Sequence, residues 1–348
     1  MKISEWKNNK SENQSIIRLT KRVFGDQEIA QQSYFDWQYV QNPFGKAMIS
    51  LAKEKEVVIG TNSIIPMNIW IERKLVKSSL ACNVQVDPEY QNQGIFSKLL
   101  EVMDSIITKN NISFLYAVPN GNSYNAFIKH NSTKIASLPL YVKILKPSKY
   151  FDSQLGKILK ISDFIWKPKN CKNSKIESFK DKFSNEFEKI LEKSLERIPI
   201  IVNRSVEFLE WRYNHHPTRN YQTFILKESN HIKGYIICRI ANVNNKRVGI
   251  IEDFLVDAHT KNKNDLENLV DIAINHLYNN GASVIITTFN DKFLEGKILK
   301  KSGFFKVPKF LKPEPLNCII MPFKKNEFIE KIKNYNNWFF SFGDYDVF

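Results

Sequence analysis

Two stretches 174 residues apart share one pattern: SYFDWQYVQNP at 33–43 and EFLEWRYNHHP at 207–217. Trp37, Tyr39 and Pro43 align with Trp211, Tyr213 and Pro217, and Gly60 aligns with Gly234 at the same separation. Further along, the separation becomes 170, pairing Val86-Asp87 with Val256-Asp257, Asn120 with Asn290 and Ile128 with Ile298. An indel of four residues between strands accounts for the change. Self-similarity at half the chain length implies two copies of one domain rather than a solenoid of short repeats. At 348 residues, each copy has enough chain to bury its own core.

In the first copy the pattern predicts elements near Ser15–Phe24, Ala47–Val58, Thr61–Ile71, Leu80–Val86, Phe96–Thr108, Phe114–Val118, Tyr124–His130 and Tyr141–Ile144. Gly60 and Gly234 stand between apolar segments, as expected for the turn or bulge of a β-hairpin. Hairpins mixed with strand–helix crossovers imply an α/β (α+β) fold whose mixed sheets carry helices on both faces. The expected boundaries are a first domain at 1–147, a linker at 148–185 and a second domain at 186–348.

The stretch VDPEYQNQGIFSKLL, 86–100, reads as a strand–turn–helix. Val84 and Val86 alternate with polar Gln85 and Asp87, and Pro88 ends the strand pattern. Phe96, Leu99, Leu100 and Met103 then recur at helical spacing. The turn, Gln91-Asn92-Gln93-Gly94, falls where a helix leaves its first N–H groups without partners. Those N–H groups and the positive end of the helix dipole suit an anion.

These residues resemble the CoA-binding signature of the GNAT acyltransferases, Q/R-x-x-G-x-G/A after a V-x-P strand end, here Val86-Asp87-Pro88 followed by Gln91 to Phe96. Phe96 stands where that family commonly has a small residue. The resemblance covers most of both halves. It implies two tandem GNAT-like domains, each with a mixed, mostly antiparallel sheet flanked by helices. It also implies a coenzyme A thioester as cofactor, acetyl-CoA or a longer acyl-CoA. Its pyrophosphate would lie on the turn, Gln91, Asn92, Gln93, Gly94, Ile95, Phe96 and Ser97, and its pantetheine arm along Val84, Gln85 and Val86. Asn120, Asn122 or Ser123, in the loop that opens the next helix, would reach the cofactor's amides or phosphates. A Tyr that many members carry in that helix to protonate the departing thiolate is replaced by Ile128, leaving Tyr124 and His130 as substitutes.

The second copy reads VDAHTKNKNDLENLV, with Asn264 in place of Gly94 and Asp265 and Glu267 in the opening helical turn. Acidic side chains cap a helix but repel a pyrophosphate. A single cofactor site, in the first copy, is therefore expected, with the second copy shaping the acceptor cleft. Acyl transfer to an amine needs the amine neutral, a task for a group titrating near neutrality. His215 and His216 precede Pro217 in the repeated motif, and His216 joins the candidates for that role. Trp37, Tyr39, Arg212 and His215 are candidates for substrate contact. In the tail, NWFFSFGDYDVF, Asp344 and Asp346 could meet a substrate amine, although a packed C-terminal segment explains them as well.

The four cysteines, Cys82, Cys171, Cys238 and Cys318, stand far apart and suggest neither a disulfide framework nor a metal site. The N-terminus lacks the apolar core of a signal peptide and no apolar run is long enough to cross a bilayer, so a soluble cytoplasmic protein with no membrane partner is expected. The net charge of +15 favours anionic partners. Much of it is diffuse Lys without interleaved aromatics, which argues against a nucleic-acid-binding module. The leading function is N-acyl transfer from acyl-CoA to a small amine. By resemblance to tandem GNAT enzymes, the acceptor is a nucleotide-linked amino sugar for surface polysaccharide, and the protein a monomer or homodimer. Amino-acid transfer from aminoacyl-tRNA, the alternative of the tandem type, belongs to proteins that lack the CoA cradle.

Overall fold

The computed structural model describes residues 1–149, 167–169, 171–260, 262–308, 315–323 and 327–345. They form two compact units that do not follow the chain in two contiguous halves. The first unit takes 1–137, 215–218 and 315–337, and the second takes 138–214, 219–308 and 338–345.

In the first unit, β1 (Lys2–Glu5) precedes α1 (Lys10–Phe24), which starts where Asn9 accepts the Glu12 N–H at 2.9 Å. α1 buries Ile16 and Leu19. A short α2 (Gln32–Phe35) widens into a π-helical turn, Asp36–Val40, in which the Gln41 N–H reaches back to Asp36 O. There follow β2 (Met48–Glu54), β3 (Val57–Ile71), β4 (Lys74–Val86), α3 (Ile95–Lys109), β5 (Phe114–Ala117), α4 (Gly121–Lys129) and β6 (Thr133–Ser137). α3 buries Ile95, Leu99, Leu100, Met103, Ile106 and Ile107, one stripe at spacings of three and four.

The second unit repeats the plan. β7 (Tyr141–Ile144) and β8 (Ile176–Phe179) lead to α5 (Asn185–Ser194), β9 (Ile200–Val202) and α6 (Val206–Leu209). α6 runs into a second π-helical turn, Glu210–Asn214. Next come β10 (Gln222–Glu228), β11 (His231–Val243), β12 (Lys246–Val256), α7 (Lys263–Asn279), β13 (Val284–Thr287), α8 (Leu294–Lys301) and β14 (Phe305–Lys306). The repeated Trp-x-Tyr pattern is thus a repeated π turn, and all four of its rings are buried.

The change of offset lies in the central hairpin. β3 and β4 have 15 and 13 residues, whereas β11 and β12 have 13 and 11, two fewer on each arm. Of the two settings expected, Gly60 and Gly234 take the bulge and not the turn: each lies inside a strand, pairing with Val86 or Val256, beside a register shift with the preceding strand. The hairpin turn of the first copy instead falls at Lys55-Glu56, with Lys55 at φ 53°. Glycine is required there by close approach: a Cβ on Gly60 would meet Ile95 at 3.2 Å, and one on Gly234 would meet Val256 at 2.8 Å.

The first sheet runs β1-β2-β3-β4-β5-β15-β6, where β15 is Asn317–Pro322, and the second runs β14-β7-β13-β12-β11-β10-β8. Neighbours along these two orders are antiparallel except β4 with β5 and β12 with β13. The strand expected to end the first copy, Tyr141–Ile144, pairs with β13 and β14 in the second sheet. In return β15, from the end of the chain, lies between β5 and β6 and buries Ile319 and Met321 with Leu115, Phe127 and Met103. Among the described residues no helix is long and apolar enough to cross a membrane.

α1 is tied down by Glu12, which pairs with Lys53 Nζ at 2.6 Å and accepts the Lys7 N–H at 2.7 Å. Burial alone would raise the Glu12 pKa, but Lys53 and the Lys7 N–H outweigh it and hold the carboxyl below its ordinary range. The stability from this pairing is complete above the carboxyl's unfolded pKa and disappears as pH falls through the lower folded value. Glu12→Gln should therefore flatten the acid limb of the stability–pH curve below about pH 4.3, read by urea unfolding across pH. An acid limb identical to the parent's would contradict the assignment.

Candidate active site

β4 pairs with β5 only at Ser79 with Leu115 and Leu80 with Tyr116, although β4 continues to Val86. Beyond Leu80 the two parallel strands part, leaving one edge of β4 open. The Asp87 N–H donates to Ile59 O on β3 at 2.8 Å. Strand alternation then turns the N–H and C=O of Val86 to the opposite, splayed side. Gln91 Nε2 donates to Val86 O there, at 3.3 Å. Between the pairs Thr61 with Gln85 and Ser63 with Cys82, β4 holds one extra residue, a bulge at which Asn83 takes φ 48°.

The turn that follows is shaped by two left-handed residues, Asn92 at φ 60° and Gly94 at φ 69°. Gly94 caps α3 with no side-chain hydrogen bond to the helix, and no acidic residue lies in the first turn. The backbone bond from Lys98 N–H to Gly94 O, at 3.3 Å, closes the first helical turn. The N–H groups of Ile95, Phe96 and Ser97 therefore point out of the helix end with the positive end of its dipole behind them. Phe96 turns its ring away, edge-on to Phe127 at 5.3 Å in the core. The bulky residue in the signature thus leaves its N–H at the turn. Asp87 braces the entry, accepting the Glu89 N–H at 3.1 Å and pairing with Arg22 at 2.9 Å.

The second copy keeps the brace and alters the turn. Asp257 accepts the His259 N–H at 2.9 Å and pairs with Lys193 and Lys233. At the start of α7, however, Asn262 accepts the Asn264 N–H at 3.1 Å, and Asp265 sits buried in the first turn. Burial raises the Asp265 pKa, but bonds from Lys175, Asn173 and Asn262 outweigh it and hold the carboxyl below its ordinary range. A standing negative charge occupies that helix end.

The remaining predicted residues separate into distinct settings. Gln85 is buried, its Nε2 donating to Thr20 Oγ1 at 3.0 Å, so its side chain faces α1, while its backbone pairs with Thr61 on β3 and not with the open edge. Asn120 caps α4 and accepts from the N–H and hydroxyl of Ser123 at 3.1 and 3.0 Å. Tyr124 packs half-buried on the core with Lys134 over its ring. His130, past the end of α4, binds Asp104 at 2.9 Å. Asp104 is ten residues along α3 from Gly94, about 15 Å down the helix. His130 is thus held away from the turn.

Trp37 and Tyr34 enclose His216 with ring centroids 4.2 and 5.6 Å away, and the His216 Nδ1 accepts the Thr218 N–H at 3.3 Å. His216 reproduces the turn that Asn42 makes in the first copy, where Asn42 accepts the Phe44 N–H at 2.9 Å. His215 is exposed. Arg212 lies in the other unit, donating to the carbonyls of Gly343 and Tyr345. Of the acidic pair expected in the tail, Asp344 is buried against Arg204, and Asp346 lies outside the described residues. Asn83, Gln38 and Arg22 were not among the predicted residues. For Asn83 the readable signal was an Asn, poor in strands and tolerant of left-handed backbone, inside an otherwise β-forming run.

Residues 7–127 match the family model described as an acetyltransferase (GNAT) domain. No curated protein matches the chain. Among solved structures, a GCN5-related N-acetyltransferase from Anabaena variabilis is similar over 93% of this chain and 73% of its own, at 12% identity and TM-score 0.66. A probable N-acyltransferase from Enterococcus faecalis matches over 95% and 75%, at 14% identity and TM-score 0.66. Saccharomyces cerevisiae N-myristoyltransferase, solved with myristoyl-CoA, matches over 92% and 82%, at 12% identity and TM-score 0.64. The fold, two mostly antiparallel sheets flanked by helices, is that of these proteins.

An added Cβ at Gly94 meets nothing within 4 Å, so substitution there carries backbone strain without a clash. Gly94→Ala should cost about 1 kcal/mol and Gly94→Asn clearly less, since Asn tolerates the left-handed region. Urea unfolding checks both; equal costs for the two would mean that the turn is not held left-handed.

Proposed function

We propose, from the GNAT acetyltransferase domain at residues 7–127, that the protein is an acyl-CoA-dependent N-acyltransferase with a single cofactor site in its first copy. The observation that carries this reading is the uncapped, acid-free start of α3 beside the open edge of β4, which the second copy replaces with Asp265. The residues present fit the group: backbone N–H groups of 95–97 would hold the pyrophosphate, and the backbone of half-buried Val84 and Val86, turned to the splayed side of β4 where Gln91 meets Val86 O, would run beside the pantetheine arm. When bound, the thioester supplies an acyl group activated for attack by an amine.

The chain's own part is positioning and electrostatics. Holding an amine against the acyl carbon supplies roughly 7–11 kcal/mol of the barrier. A strand N–H aimed at the carbonyl oxygen adds about 3 kcal/mol. His216 set against Trp37, His215 exposed beside it and His130 tied to Asp104 are the histidines of the first unit, and we assign none of them the role of base on position alone. For the acceptor we propose a nucleotide-linked amino sugar met in the cytoplasm. The net charge of +15 supports a diphosphate-bearing partner.

Calorimetric titration of the full chain with CoA should give one site per chain. Gly94→Glu, which puts a carboxylate at the helix end, should weaken binding at least about tenfold, as one repelled charge at a helix N-terminus and the lost N–H contacts predict. Circular dichroism controls for folding. No CoA binding by the parent at millimolar concentration would end the acyl-CoA reading and turn attention to aminoacyl-tRNA.

A further inference from the structure

The bulge in β4 is fastened from outside the sheet. Asn83 Nδ2 carries two N–H donors, and both are used: one reaches Gln38 Oε1 at 2.6 Å, the other the Tyr39 hydroxyl at 2.9 Å. The Asn83 carbonyl accepts from Thr61 Oγ1 at 3.5 Å. Gln38 and Tyr39 are consecutive, buried, and belong to the repeated π turn, whose wider spacing sets both side chains on one amide. A left-handed residue in a strand interior is strained, and such strain persists where the surroundings over-determine it.

The second copy holds the corresponding strand with different partners. At the offsets of 174 and 170, Gln38, Tyr39 and Asn83 correspond to Arg212, Tyr213 and Asp253. Asp253 likewise stands at a register shift, between Ile237 and Cys238, and likewise is held by side chains. It accepts from Arg204 Nε, the Tyr235 hydroxyl and the Ser341 hydroxyl, each at 3.1 Å. In that copy the trio holds the chain's own tail, since Arg212 binds the Gly343 and Tyr345 carbonyls and a Cβ on Gly343 would overlap the Tyr213 hydroxyl. The first copy has the neutral version, next to the strand edge that the cofactor turn leads into.

We propose that Asn83 is a positioning residue for acyl transfer. Clamped by Gln38 and Tyr39, it keeps the bulge in register, so that the Val84 N–H stays on the splayed side of β4 where an acyl carbonyl can accept it. A slip of one residue would turn that N–H toward β3. The proposal rests on the acyl-CoA reading and adds to it the side chains that hold the strand edge.

Asn83→Gly keeps access to the left-handed backbone and removes both clamp bonds. Tyr39→Phe removes one bond and leaves the ring in the core. In the full chain without ligand, amide exchange at Gln85, which pairs with Thr61 on β3 beside the bulge, should quicken by about tenfold in Asn83→Gly, the protection of one net hydrogen bond, and by less in Tyr39→Phe. With acetyl-CoA labelled at the carbonyl carbon, the parent should show a bound carbonyl resonance displaced from the free one, and Asn83→Gly should lose that displacement while binding CoA within about twofold of the parent. An unchanged carbonyl signal and unchanged exchange in both variants would overturn the clamp and leave the acyl-CoA reading intact. Failure of the parent to bind acetyl-CoA would overturn both. Should Asn83→Gly fail to fold, the Tyr39→Phe measurements decide alone.

Discussion

Each sheet is completed by a strand from the other half of the sequence, and the rest of the structure depends on that exchange. β15 lies between β5 and β6 and satisfies the edges of both. Its Ile319 and Met321 enter the cluster that holds Phe127, on which Phe96, just after the turn at 91–94, rests. Burying two such side chains contributes about 1.5–3 kcal/mol each, a large share of the roughly 5–15 kcal/mol by which domains are stable. The turn at 91–94 is therefore supported by residues more than two hundred positions downstream. A first half cut from its second would keep the turn's sequence and lose the floor beneath it.

The turn itself is decided by competition for the same N–H groups. A helix start can be satisfied by its own side chains or left for a ligand, and each copy has taken one course. In the second copy, Asn262 and Asp265 occupy the helix end, and Lys175 keeps the Asp265 carboxylate charged. In the first, Gly94 contributes backbone geometry and no acceptor. The difference between a binding site and a structural turn rests here on two side chains, with the strand, the brace at Asp87 or Asp257 and the helix stripe held in common.

That is also why the strand–turn–helix at 86–100 was legible in the sequence while its surroundings were not. A missing cap, a glycine and an apolar stripe are local features, and VDPEYQNQGIFSKLL displays all of them. The duplication was legible because its offset survives, and even the four-residue change proved to be two residues from each arm of one hairpin. Strand exchange leaves no such trace. Tyr141–Ile144 reads as a buried strand in either sheet, and nothing in its alternation names its partner. At Gly60 the bulge was legible, but the approach of Ile95 and Leu99, which crowds any side chain there, comes from another element and was not. Gln38 and Asn83 were missed because a polar residue beside Trp and Tyr, or inside a strand, shows its purpose only once the other is 2.6 Å away.

A duplicated chain carries its own control for which features serve the fold and which serve a ligand. The bulged hairpin, the close-approach glycine, the Asp that braces the turn and the π turn occur in both copies, so the architecture calls for them whether or not a cofactor binds. The splay is shared too, since β12 pairs with β13 only through Ile250 and runs on to Val256, as β4 does beyond Leu80. Two differences bear on a ligand: the helix end, where Gly94 faces Asn264 and Asp265, and the bulge, where Asn83 has neutral partners and Asp253 a buried ion pair with Arg204. These two places stand at the two ends of the splayed part of β4, one before it and one after it. With the strand, its splay and the bracing Asp kept in both copies, the acidic group at the second helix end is the internal argument for assigning an anion to the first copy alone.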